Sequence, residues 1–467
     1  MSDISAPTLQ MARRLAANGD DEAARQCYLD VLRRDPDNPA ALVEIAVLAE
    51  TGGHRSAARS AYLRAVHVDP GNAIAQAGLG TLALRDNDLE AACRHYRAAL
   101  AADPAFAPAH QGLARVLAAL GDSSAEAHWR AGFTGRAVVP QRYRGQGEGI
   151  PLLLLVAARG GNIPPRYWID SSVFAVTAVF ADYHDPADPL PPHVLTVNAI
   201  GDADLCATAL ANAEHMLAGD TGPLINHPAR VRLTGRQDNA RRLRAVPGVI
   251  TPRIVPLSRT ADPTAIDLPF PVLVRARGFH TGQHFLRVGS PEALAAAAAS
   301  MPGEDLLAIE YLDARGADGM ARKYRVMFID GRAYPLHLAI SRDWKVHYFT
   351  ADMAVHAAFR EEERRFLDNM PAVLGPRAMA ALTGIQATLG LDYAGADFGL
   401  APDGSILLFE ANATMVINPP DPDAIWDYRR PAIDAALDAA RSMLKRHTAQ
   451  CHCEERSDEA TSIMSER

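Results

Sequence analysis

The sequence predicts a multidomain chain: an all-α solenoid of helical repeats, then an α/β domain, then an α+β fold. Three observations carry that prediction. A 34-residue period runs through the first third of the chain. A glycine-rich break then gives way to apolar runs of strand length alternating with helical stretches. Two Asp-Gly pairs between β-prone runs mark hairpins in the last third. The length agrees, because 467 residues at roughly 150 per domain leave room for two to four domains.

The period is carried by four classes of position. Asp35-Pro36, Asp69-Pro70 and Asp103-Pro104 repeat at 34 residues, as do Tyr28, Tyr62 and Tyr96. Ala23, Ala57, Ala91 and Ala125 keep the same step, and so do Gly19, Gly53 and Gly121, with Asn87 at the remaining place. Each class has a physical use in a helix–turn–helix unit. Alanine and leucine at helical spacing form the packed faces, and the Gly or Asn position supplies a left-handed turn. The Asp-Pro pair ends the second helix, because proline disfavours helix in the residue before it. The tyrosine fills the gap between stacked units. The pattern resembles the tetratricopeptide repeat over residues 1–133, with three complete units and a partial fourth ending near Phe133. That resemblance implies a concave face presented to a peptide or protein partner.

Residues 134–149 hold four glycines and little apolar content besides Val138 and Val139, the composition of a linker. An α/β domain is expected over 150–230, opening on a strand in Pro151–Ala158, and an α+β domain over 231–446. The tail, 447–467, is dense in Glu, Asp, Ser and Arg and is expected to stay disordered after a last helix near Pro431–Lys445.

Composition narrows the function classes. Lysine and arginine number 47 against 55 aspartates and glutamates, a net charge of −8. There is no overall drive toward nucleic acid. Hydrophobic residues at 48% and charged residues at 22% exclude global disorder and a collagen-like chain. The five cysteines, Cys27, Cys93, Cys206, Cys451 and Cys453, are too scattered for a disulfide framework. Cys451-His452-Cys453 lacks a second pair at metal-ligand spacing. The N-terminus shows no apolar signal core. The longest apolar runs, Pro151–Ala158 and Val173–Ala181, fall short of the roughly 20 residues a membrane helix needs. A cytoplasmic protein with no membrane partner is the expectation.

The most informative stretch is Leu391–Met415. Two apolar runs flank Pro402-Asp403-Gly404. A two-residue Asp403-Gly404 loop would pair Pro402 with Ser405. Phe398 would then face Phe409, and Leu400 would face Leu407, on one apolar side. On the other side Asp397 would sit opposite Glu410, with Asn412 two residues further on, opposite Gly395. Directly opposed β-carbons lie about 4.5–5.5 Å apart. Two carboxylates that close repel, so one is protonated or both share a cation. With an amide oxygen beside them, these hard ligands suit magnesium. A one-residue slip would send the acids to opposite faces.

Asp397 followed by a hairpin and Glu410-Ala411-Asn412 resembles the magnesium-binding end of the ATP-grasp ligases. These include D-alanine–D-alanine ligase, glutathione synthetase and the ribosomal-protein glutamate ligases. The resemblance spans roughly Ile150–Leu444, with Leu224–Asn239 similar to the segment leading into the ATP-grasp fold. It implies ATP as nucleotide and two magnesium ions, with manganese an alternative. Asp397 and Glu410 would hold one ion, and Glu410 with Asn412 the other. Phe270–Ala276 is similar to the strand that usually carries a phosphate-contacting lysine; here the basic positions are Arg275 and Arg277, a departure from the family. Arginine can still bind phosphate bidentately. Gly278 and Gly282 resemble the loop that covers the phosphates. Leu306–Leu312 resembles the hinge strand, which implies Glu310, Tyr311 and Leu312 at the adenine and Asp313 at the ribose.

A second Asp-Gly hairpin, Asp330-Gly331, follows a strand on which Lys323, Arg325 and Met327 share a face. Arg325, with Arg342, Lys345 and His347 around Trp344, would stabilise the charge of an acyl-phosphate. The reaction implied is a magnesium- and ATP-dependent ligation: a carboxylate becomes an acyl-phosphate, which an amine or thiol then attacks. The alternative is an interaction protein that binds nucleotide without turnover, and arginine in place of lysine at 275 is the feature favouring it. Asp397-Phe398-Gly399 also spells the kinase D-F-G triplet. The chain has no H-R-D loop upstream and no A-P-E downstream, and a hairpin fills the residues between Asp397 and Glu410.

Overall fold

The computed structural model describes residues 5–259, 266–276, 284–303, 305–346 and 351–465. The chain divides into two compact units, Met1–Val139 and Pro140–Arg467.

Among the described residues the first unit is eight helices: α1 Ser5–Asn18, α2 Asp21–Arg34, α3 Pro39–Thr51, α4 Arg55–Val68, α5 Ala73–Arg85, α6 Leu89–Ala102, α7 Ala107–Ala119 and α8 Ala125–Phe133. They form four successive pairs, the last one short. Each periodic residue type has a visible job. Asp35, Asp69 and Asp103 are the C-caps of α2, α4 and α6. Gly19, Gly53, Asn87 and Gly121 all carry positive φ between paired helices, the conformation glycine and asparagine tolerate best.

Tyr28, Tyr62 and Tyr96 are buried. Tyr62 lies against Gly78, and Tyr96 against Gly80 and Gly112, so closely that a β-carbon on Gly112 would stand 2.1 Å from the Tyr96 ring. Of the periodic alanines Ala125 is buried as expected, whereas Ala23, Ala57 and Ala91 lie outside the packed face. In those three repeats the alanine one position later, Ala24, Ala58 or Ala92, is fully buried. Ala23 and Ala91 instead donate their backbone N–H to the N-cap side chains of Asp20 and Asp88. Their spacing records a cap, and the packed face follows it by one residue.

The second unit holds three sheets. The first has strand order β1-β3-β2-β4-β5, from β1 Val138–Pro140, β2 Ile150–Val156, β3 Phe174–Phe180, β4 Leu195–Asn198 and β5 Leu224–Ile225. Its pairings from β2 to β5 are parallel. The run Leu152–Leu155 is buried throughout, as a central parallel strand covered on both faces requires. The expected linker is therefore only partly a linker: Val138 and Val139, its apolar residues, lie in edge strand β1, and beyond it the N–H of Gln141 donates to Val176. After β4 come α9 Ala207–Met216, α10 Pro228–Arg232 and α11 Arg236–Leu243.

The second sheet is antiparallel, with order β7-β10-β8-β9. Its strands are β7 Ile254–Ser258, β8 Val272–Ala276, β9 Phe285–Val288 and β10 Asp305–Glu310, and it carries α12, Pro291–Ala299. Val272, Val274, Leu294 and Leu306 form its separate core. The third sheet has order β12-β11-β13-β14-β6, from β6 Val249–Ile250, β11 Ala321–Ile329, β12 Arg332–Ser341, β13 Tyr393–Leu400 and β14 Ile406–Asn412. It packs with α13 Ala357–Asp368, α14 Met370–Leu389 and α15 Arg430–Ser465. A single core contains side chains from both sides of residue 230, Leu153 and Leu210 alongside Phe328 and Phe398. The tail expected to be disordered continues α15 to Ser465, through Glu, Arg and Ala, which are good helix formers.

Both predicted hairpins form. Asp330 and Gly331 make the two-residue loop between β11 and β12, both at positive φ. The β13–β14 loop is one residue longer than expected. Ala401 pairs with Ser405, and Gly404 takes positive φ, the three-residue form with a left-handed glycine. That shifts the nearby register by one: Phe398 faces Leu408, Gly399 faces Leu407 and Leu400 faces Ile406. A bulge between Asp397 and Phe398 then restores the register, so Asp397 faces Glu410 and Gly395 faces Asn412 as expected. The extra residue of the bulge is Phe409. The slip that would have separated the acids occurs and is undone before it reaches them.

Candidate functional site

The third sheet sets four chemically distinct side chains in one row. His337 on β12 pairs with Arg325 on β11, Arg325 with Asp397 on β13, and Asp397 with Glu410 on β14. Directly opposed residues share a face of the sheet, so the row is a consequence of register alone. The Arg325 guanidinium grips both oxygens of Asp397, at 2.6 and 2.8 Å. Lys323, two residues back on the same face, adds an ion pair at 3.0 Å. Glu410 accepts from Arg236 of α11 at 2.6 Å and from the Asn412 amide at 2.9 Å.

The expected repulsion between Asp397 and Glu410 is thus relieved by arginine and lysine. Burial alone would raise the Asp397 carboxyl, but Arg325 and Lys323 outweigh it and hold the group well below the usual carboxylate range. Burial likewise acts to raise Glu410, and Arg236 with Arg275 brings it below its ordinary value. Burial, reinforced by the Arg325 charge, pushes His337 well below the usual imidazole value, so it is neutral at pH 7.

The second sheet completes the site. Arg275 on β8 lies with its guanidinium 5.5 Å from the Phe285 ring centre. Burial and the nearby Arg236 push its pKa down to about 10, so it remains a cation at pH 7. Phe285 and Tyr311 pack at 5.5 and 6.4 Å from Trp344. These residues and the His337-to-Glu410 row wall one cavity of about 520 Å³. Among the described residues its lining carries six arginine and lysine side chains and three carboxylates. An excess of cations over carboxylates in a wall that also carries aromatic rings suits a polyanion attached to a planar ring.

Most residues singled out from the sequence meet there: Arg275, Glu310, Tyr311, Leu312, Lys323, Arg325, Lys345, Asp397 and Glu410 all line the cavity. Three do not. Asp313 is turned to Arg315, at 2.5 and 2.8 Å, because the strand ends at Glu310 and alternation no longer fixes where later side chains point. Arg342 is exposed one residue beyond the end of β12. The Asn412 amide oxygen accepts from Thr414, at 3.0 Å from the backbone N–H and 2.8 Å from the hydroxyl. Glu310 lines the cavity with its carboxylate already accepting from Arg253. Arg277, Gly278, Gly282 and His347 lie outside the described residues.

Sequence patterns did not single out Arg236, His337 or Phe285. Arg236 reaches Glu410 across 174 residues of chain, and no local pattern links them. His337 was legible in principle, as the position opposite Arg325 once the Asp330-Gly331 loop is fixed and a bulge allowed.

Magnesium fits this donor set in chemistry, although the same oxygens also take part in ion pairs and hydrogen bonds within the site. Two carboxylates and an amide are hard oxygen donors. Both oxygens of Asp397, one of Glu410 and that of Asn412 already have partners. Among the described residues no group of three His, Cys, Asp or Glu side chains is placed to hold a metal. Nor is any helix long and apolar enough to cross a membrane.

Comparison with known proteins identifies the first unit. A family model for the tetratricopeptide repeat matches residues 9–73 and 47–105, and the repeats are of that class. Solved structures similar to part of this chain include the MamA protein, at 22% identity over 28% of this chain and 73% of that one, with a TM-score of 0.26. A thermophilic tetratricopeptide-repeat protein of Thermus thermophilus is 24% identical over 27% of this chain and 72% of its own, with a TM-score of 0.25. The first repeat domain of Spaghetti (RPAP3), bound to an HSP90 peptide, is 21% identical over 26% of this chain and 97% of its own, also at 0.25. No curated protein matches the chain.

Proposed function

We propose that residues 140–467 form an ATP-grasp-like ligase that converts a substrate carboxylate to an acyl-phosphate and joins it to an amine or thiol. The observation that carries this reading is the single cavity in which Arg275, Lys323, Arg325 and Lys345 meet Asp397 and Glu410. In this reading the aromatic cluster of Phe285, Tyr311 and Trp344 receives the nucleotide base. Arg275, Lys323 and Arg325 receive its phosphates. The substrate carboxylate oxygen forms a bond to the γ-phosphorus as the bond to the β-phosphate oxygen breaks, and ADP leaves. The amine or thiol then bonds to the acyl carbon and inorganic phosphate departs. Positioning and charge neutralisation do most of the work.

Asp397 and Glu410 are the residues that would hold magnesium. Bound magnesium would neutralise the β- and γ-phosphate oxygens. Because Arg325 and Lys323 pair with Asp397, Asp397 would hold magnesium once a bound polyphosphate offered those two cations another partner. Tetratricopeptide repeats usually present a binding face, so the acceptor or donor in this reading is a peptide or protein held by the first unit.

Two measurements test the proposal. Magnesium-ATP at a hundred times its Kd raises stability by about 2.7 kcal/mol, visible as a higher Tm. ADP release is then followed across a panel of peptides and amino acids. No thermal stabilisation at millimolar nucleotide would sink the reading. Stabilisation with no ADP release on any acceptor would favour nucleotide binding without turnover, which arginine at position 275 in place of lysine supports.

A further inference from the structure

A second, smaller cavity adjoins the first. It measures about 70 Å³ and shares Arg236, Arg275 and Glu410 with the larger one. Its remaining wall includes Asp202, Asp204 and Asn239. Since one water-sized probe needs about 10–15 Å³, it has room for a handful of heavy atoms.

The two cavities differ in charge. Where the larger has twice as many basic side chains as carboxylates, the smaller sets two arginines against three carboxylates, Asp202, Asp204 and Glu410. Asp204 is exposed and marks the solvent side. Asp202 and Asp204 are held in place by backbone donors: Asp202 accepts from the N–H of Asp204 and Leu205 at 2.9 Å, and Asp204 from that of Arg236 at 3.0 Å.

Asn239 supplies an independent observation. It is only 3% exposed. Its amide nitrogen donates to the Ala411 carbonyl, while among the described residues its Oδ1 is buried with no hydrogen-bond partner. The amide cannot be turned over to relieve this, because an oxygen would then face the Ala411 oxygen. An orphaned acceptor at that depth keeps its full desolvation penalty. A donor that enters the cavity recovers that cost.

We infer that this side cavity binds the ammonium group of a small primary amine, with Asn239 Oδ1 as acceptor and Asp202, Asp204 and Glu410 supplying the compensating charge. A thiol suits the place poorly, since its S–H is a weak donor and carries no positive charge. The binding stands on this geometry alone. Its further role rests on the ligase reading: the amine would be the nucleophile that meets the acyl-phosphate beside Glu410. Its nitrogen bonds to the acyl carbon as the carbon–oxygen bond to phosphate breaks. Phosphate leaves with the electron pair, and the two protons lost by the ammonium pass to water.

The test is calorimetric titration of the full chain, without nucleotide, using three probes of one shape: glycinamide, propionamide and 2-mercaptoacetamide. Glycinamide is expected to bind at least about tenfold tighter than the other two, as loss of one charge-assisted hydrogen bond predicts. Asn239→Leu is expected to weaken glycinamide by a similar factor. Ala240→Leu, which fills the cavity from helix α11 without removing a polar group, is expected to do the same while leaving ADP affinity within about twofold; it carries the test if Asn239→Leu fails to fold. Equal affinity for the three probes would overturn the inference. So would glycinamide binding unchanged by Ala240→Leu, or no glycinamide binding together with a lone ordered water on Asn239 Oδ1. ADP titration of the wild type keeps the two ideas apart: glycinamide binding without ADP binding removes the ligase reading and leaves the amine site standing.

Discussion

The two units cohere internally by opposite means. In the repeats the key contacts are short-range and apolar: Tyr96 fills a hollow left by Gly80 and Gly112, and Tyr62 one left by Gly78. Each repeat answers to its neighbour, as in a quasi-one-dimensional array. In the second unit buried polar side chains tie distant segments. Asn226 accepts from the N–H of Asp392 and Tyr393 and donates to the Tyr393 carbonyl, 167 residues away. Fully buried Glu363 of α13 accepts from the Leu338 N–H of β12, the Tyr428 hydroxyl and the Arg429 guanidinium. Damage in the repeats should therefore stay local, whereas damage in the second unit should spread through it.

Substitutions can break that contrast. The largest effect is expected from Asn226→Ala, which leaves the buried N–H and carbonyl of Tyr393 and the half-buried N–H of Asp392 without partners. At about 1–3 kcal/mol each, the loss is about 4 kcal/mol, read by urea denaturation as an earlier unfolding of the second unit alone. Asp397→Asn leaves Arg325 and Lys323 beside an uncharged group and should cost about 3 kcal/mol. The same variant fixes a pH dependence. Because Asp397 sits below its unfolded value of about 3.9, its stabilisation is present above pH 4 and lost as pH falls further. Wild type should lose stability of the second unit in that range, and Asp397→Asn should lose less.

Gly112→Ala comes next. Its β-carbon would collide with Tyr96, at about 1–2 kcal/mol. Hydrogen exchange should quicken in the neighbouring repeats, with the second unit unchanged. The smallest effect belongs to Arg64→Ala. The Arg64–Asp37 pair is half exposed on both sides, and its loss should shift stability by less than about 0.5 kcal/mol.

The contrast also explains what the sequence disclosed. Local regularities were legible: the Asp-Pro stops, the positive-φ turns, the tyrosine fillers and the two Asp-Gly hairpins. So was the pairing of Asp397 with Glu410, although the loop is one residue longer and a bulge at Phe409 compensates. Tertiary partners were not legible. Arg236, Asn239 and Phe285 reach the site from elements whose local patterns are ordinary, and the charge balance of Asp397 depends on a neighbouring strand. Asp313 and Arg342 were assigned by extending an alternation past the strand end, where it stops holding.

The central claim is that the cationic wall around Arg275, Lys323 and Arg325 is a polyphosphate site. Calorimetric titration of the full chain with magnesium-ATP, and separately with adenosine, tests it most directly. ATP should bind at least about tenfold tighter than adenosine, since charge-assisted contacts to phosphate are the strong ones, and the advantage should shrink as salt rises. Equal affinities for the two, or no heat from ATP at millimolar concentration, would contradict it.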